Sequence, residues 1–184
     1  MSFLETLTNA EKDTLVSLPY RAGLWVSQSD DAGGAESSAL ELQTLSNIIN
    51  GFARDIFGAE MMQHVMAETL AQQERWPEWA LKMDSVVDDC GRAVDLVRTH
   101  GDAKDVNAFQ NHILEIGEAV AMAFSEYQGE GGLSQILLKA SFYIENFKAG
   151  LAQKKKKTMR EFLSVSPKER DALSALARAL GTEY

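Results

Sequence analysis

The fold is decided by residues 18–29, which read LPYRAGLWVSQS. This segment is apolar on nearly every side of a helix, and such a helix belongs in the centre of a protein. Pro19 suits the first turn of a helix, so a buried helix is predicted from Pro19 to about residue 29, with Ser17 as its cap. Gly23 would destabilise an exposed helix, and we expect it to permit close packing here.

Amphipathic helices are predicted on both sides of this segment. Thr8 with Glu11, upstream, and Ser38 with Glu41, downstream, have the spacing of capping boxes. Apolar residues recur at helical spacing along the rest of the chain, without the alternation of strands. The stripes contain Leu42, Leu45, Ile49, Phe52 and Ile56; Met62, Val65, Met66, Thr69 and Leu70; Trp79, Met83, Val86, Cys90, Val94 and Val97; Phe109, Ile113, Ile116, Val120, Phe124 and Tyr127; Ile136, Ala140, Tyr143, Phe147 and Leu151; and Leu173, Leu176, Ala177 and Leu180.

Helix boundaries complete this prediction. The stretch 76–79, WPEW, is expected to form a tight corner and to begin a helix that ends at Gly101. Ser166, followed by Pro167, should cap the last helix, which Gly181 closes. The chain is therefore predicted to be all-α, a compact bundle of about seven to eight helices in a single domain over residues 1–184.

Composition limits the function. The 184 residues include 18 Lys and Arg against 27 Asp and Glu, a formal net charge of −9, which disfavours nucleic-acid binding. Cys90 is the one cysteine, so an intramolecular disulfide is impossible. The N-terminus lacks the pattern of a signal peptide, and no apolar run reaches the length of a transmembrane segment. A cytoplasmic location is the expectation.

A weak internal repeat relates residues 18–57 to residues 116–151 at an offset of 98. Gly33-Gly34 then aligns with Gly131-Gly132, and each half contains an apolar helix, an acidic double-glycine loop and an amphipathic helix. Two pseudo-symmetric halves would explain this order. The alternative is chance, because apolar helices align easily.

Acidic residues gather at both glycine loops. If the halves pack about a two-fold axis, the two loops lie side by side, and their carboxylates suit a hard divalent cation such as calcium or magnesium. The alternative is a pair of solvated turns, because acidic side chains are also favoured near helix N-termini. The predicted metal ligands are Asp30, Asp31, Glu36, Glu126 and Glu130.

Other candidate residues favour structural roles. His64 shares a helix face with Glu60 and Glu68, as His112 does with Glu115, but the Glu-x-x-His motif of di-iron bundles does not occur. Cys90 lies on an apolar stripe and is expected in the core. The basic run Lys154–Lys157 is expected to be a solvated helix end, with contact to an acidic partner, a lipid headgroup or RNA as the alternatives.

The chain resembles the tellurite-resistance TerB family. The resemblance lies in residues 18–27, in Asp30-Asp31 with Gly33-Gly34, in the helix from Ser38, and in the tail from 164 to Gly181. It implies an all-helical fold of two related halves, with acidic residues after the core helices. It also implies a role in stress response, in ion binding, or in assembly with partner proteins.

Two classes of function follow. The first is a non-enzymatic helical module that binds an ion or a protein partner through its acidic glycine loops. The second is a helical metalloenzyme that uses carboxylates with His64 or His112. A pure protein–protein interaction scaffold is a further alternative.

Overall fold

The computed structural model describes residues 3–29, 35–55, 59–124 and 166–183. These ranges contain α-helices and short 3-10 turns and no β-strand, so the all-α prediction is confirmed. The α-helices are α1 (Asn9–Ser27), α2 (Ala35–Asp55), α3 (Glu60–Ala71), α4 (Trp76–Trp79), α5 (Val86–His100), α6 (Ala103–Phe124) and α7 (Pro167–Leu180). None of the helices in these ranges is long and apolar enough to cross a membrane.

Helix α1 is the centre of the bundle, as predicted. Every residue from Leu15 to Leu24 is buried, and α1 packs against each of the other six helices. The predicted capping box at its start is present: the Glu11 backbone N–H donates to Thr8 Oγ1 at 3.3 Å, and the Thr8 N–H donates to Glu11 Oε2 at 2.8 Å.

The predicted helix start at Pro19 is wrong. Pro19 lies inside α1, which continues without interruption from Asn9 to Ser27, and Ser17 is not a cap. A proline inside a helix removes one backbone hydrogen bond and costs about 3 kcal/mol in isolation. Here the surrounding turns are fully buried, and packing outweighs the local preference. On α3, Thr69 Oγ1 donates to the Val16 carbonyl at 2.6 Å and helps to hold this part of α1.

Helix α2 begins one turn earlier than predicted. It starts at Ala35, so Ser38 lies inside the helix and does not cap it. Ala and Glu are good helix formers, and the sequence Ala35-Glu36 lets the helix extend backwards. Its buried apolar side chains are Leu45, Ile48, Ile49 and Phe52, whereas Leu42 is 43% exposed and lies at the edge of the predicted stripe.

The helix predicted from residue 79 to residue 100 is broken in two. The single turn α4 is followed by a 3-10 turn, Ala80–Ser85, in which Lys82 has non-helical angles, and α5 begins only at Val86. The tight corner itself is confirmed. Trp76 stacks on Tyr20 at a centroid distance of 4.5 Å, and its indole N–H donates to the Thr69 carbonyl at 3.1 Å.

Helices α1 and α6 cross at closely packed glycines. A Cβ placed on Gly23 would collide with the Leu45 side chain of α2 and would lie 3.3 Å from Ile116 and from Val120 on α6. One placed on Gly117 would lie 3.1 Å from Leu173 and 3.3 Å from Val26. Neighbouring side chains come this close to a helix backbone only where its own side chain is missing. The expectation for Gly23 is therefore confirmed.

Helix α7 closes the bundle as predicted. It packs against α1, α5 and α6. Its capping box joins Ser166 and Glu169, and Gly181 ends it in the left-handed conformation with φ 74°.

Candidate functional site

The predicted metal ligands fall almost entirely outside the described residues. Asp30, Asp31, Glu126 and Glu130 lie outside them, and Glu36 belongs to α2 but its side chain is not among those described. The second half of the predicted repeat is described only from residue 116 to residue 124. The metal site and the repeat therefore stay predictions.

In the described structure, α1 and α6 are the helices that precede the two acidic stretches in the sequence. Val26, beside the end of α1 at Ser27, lies next to Gly117 of α6, where an added Cβ would be 3.3 Å from the Val26 side chain. Phe124, the last described residue of α6, lies about 10 Å along the helix from Gly117, at 1.5 Å per residue. With an interaxial distance of about 8–10 Å, Ser27 and Phe124 lie within about 20 Å of each other.

A buried arginine on α1, Arg21, binds α5 and the 3-10 turn that precedes it. Arg21 is 2% exposed, and its guanidinium donates to Asp89 Oδ2 on α5 at 2.8 Å. It also donates to Ser85 Oγ at 2.8 Å and to the backbone carbonyl of Lys82. One side chain of α1 therefore holds both the beginning of α5 and the 3-10 turn before it.

The carboxylate of Asp89 is engaged on both oxygens. Ser85 Oγ donates to Asp89 Oδ2 at 2.8 Å, and Arg92 Nη2 lies 2.5 Å from Asp89 Oδ1. A buried charge is tolerated when it is paired and hydrogen-bonded in this way. The sequence contains one signal of this cluster, an arginine in an otherwise apolar helix, but its partner lies 68 positions further along the chain.

A second, more exposed layer of charges covers the same region. Asp13 on α1 lies 2.6 Å from Arg75 and 3.4 Å from Lys82, and Glu78 lies 3.3 Å and 3.1 Å from the same two bases. Hydrogen bonds from Arg75, and then from Lys82, lower the pKa of the Glu78 carboxyl. Exposed pairs contribute little energy individually, but these four residues join α1 to residues 75–82.

We call residues 76–85 the presented segment, because both layers of polar contacts hold it against α1. Its tryptophans point inwards: Trp76 and Trp79 are buried, and the Arg75 guanidinium lies 5.4 Å from the Trp79 ring centroid. Its outer surface includes Leu81, which is 86% exposed, and Pro77, which is also exposed.

The structure places the single thiol in the core, as predicted. Cys90 is fully buried, and burial raises the pKa of its thiol to about 12. The nucleophilic form of cysteine is the thiolate. At neutral pH, Cys90 is therefore a protonated core residue.

The predicted histidine groups are not brought together with other ligands. Among the residues that the structure describes, no three His, Cys, Asp or Glu side chains form a group that could hold a metal. His112 is buried with Nδ1 2.7 Å from the Ala108 carbonyl oxygen, and burial lowers its pKa. Glu68, on the His64 face, pairs with Lys12 at 3.3 Å.

Comparisons with known proteins identify no family for this chain. No protein-family model, no curated protein and no solved structure matches the chain.

Proposed function

We propose that this chain is a non-enzymatic helical binding module of the TerB-like kind. Its ligand is a divalent cation such as calcium, or a protein partner, bound through the acidic stretches that contain Asp30, Asp31, Glu36, Glu126 and Glu130. The observation that supports this proposal is the packing of α1 against α6, the two helices that the acidic stretches follow in the sequence.

Electrostatics gives this arrangement a reason to bind a cation. Helix α1 ends at Ser27, where the last carbonyl groups of a helix carry partial negative charge. Asp30 and Asp31 follow within four residues, so negative charge accumulates at this end of the helix. Carboxylate and carbonyl oxygens are the ligands that calcium takes, and a bound cation would offset the repulsion between them.

The buried polar groups support a non-enzymatic role. Arg21 and Asp89 bind each other between two helices, and this ion pair connects secondary structure elements as in a scaffold. The Cys90 thiol is buried, and burial raises its pKa to about 12.

The test is thermal melting of the full chain with chelator, calcium, magnesium or manganese at constant ionic strength. A cation at a hundred times its Kd stabilises the folded state by about 2.7 kcal/mol, which corresponds to about 5–11 °C for a chain of this size. We expect this increase in the wild type and its loss in Asp30→Asn with Asp31→Asn.

The matched control is Asp84→Asn with Asp88→Asn, which changes the net charge equally at two exposed positions. The control variant should keep the cation response. Equal melting of the wild type in all conditions would contradict cation binding and leave a protein partner as the ligand of the acidic stretches.

A further inference from the structure

We draw no further inference here: the strongest candidate, the open groove between α1 and α5 lined by Thr14, Arg92 and Leu96, carries nothing, because its charged side chains already bind partners within the chain and nothing in the described residues shows what covers it.

Discussion

Substitution of Arg21 by methionine should destabilise the protein by about 3 kcal/mol. Arg21 and Asp89 are 2% and 6% exposed, and removing one partner of a buried ion pair generally costs about 3–5 kcal/mol. We place Arg21→Met at the lower end, because Arg92 remains 2.5 Å from Asp89 and keeps a positive charge beside it. Asp89→Leu should cost more, since it leaves the buried guanidinium with neutral acceptors.

The double variant, Arg21→Met with Asp89→Leu, tests whether the two charges act as a pair. Neither charge is then left alone, so its destabilisation should fall short of the sum of the single values by at least about 2 kcal/mol. Urea unfolding followed by circular dichroism gives the three free energies, and fluorescence of a Trp25→Phe background, in which Trp76 and Trp79 are the remaining tryptophans, reports on the presented segment. The reasoning fails if Arg21→Met lies within about 0.5 kcal/mol of the wild type, or if the single effects simply add.

Two further predictions concern helix packing and pH. Gly23→Ala should lower the melting temperature, because the new methyl group would collide with Leu45 and crowd Ile116 and Val120 at 3.3 Å. Gly91→Ala, whose nearest new contact is at 3.7 Å, should raise stability by about 0.5–1 kcal/mol through helix propensity. The reverse order of the two melting temperatures would contradict the packing at the crossing. Burial lowers the pKa of His112, so below about pH 6.5 the unfolded chain binds a proton that the folded chain does not, and stability falls as the pH falls. His112→Gln should lose less stability than the wild type between pH 7.5 and 5.5 in urea titrations, and parallel losses would show that His112 does not contribute.

Much of the fold follows from local sequence. The capping boxes at Thr8 and Ser166 and the left-handed Gly181 are present where the sequence predicts them. These features depend on residues within four positions of one another, so the sequence contains all the information that they need. The burial of α1 also follows from sequence, because a helix that is apolar on all sides is stable only when other elements cover it.

The errors arise where distant contacts override local preference. Pro19 is expected to begin a helix and instead lies inside one, because the helices around α1 bury it completely. The break at Lys82 is a similar case, since the Arg21 side chain takes the Lys82 carbonyl across 61 positions. Of the candidate site, the burial of Cys90 could be predicted from sequence. The burial of His112, for which a surface pair with Glu115 is the expectation, and the Arg21–Asp89 pair required the three-dimensional structure.

The central position of α1 has a consequence for synthesis of the chain. Helix α1 is complete at residue 27, but α6, which covers it, is complete only at residue 124. At about 5–20 residues per second, α1 is made about 5–20 s before its main packing partner. Apolar surface that stays uncovered during synthesis is prone to aggregation, so the segment that organises the finished bundle is also the one most exposed to that hazard while the chain is being made.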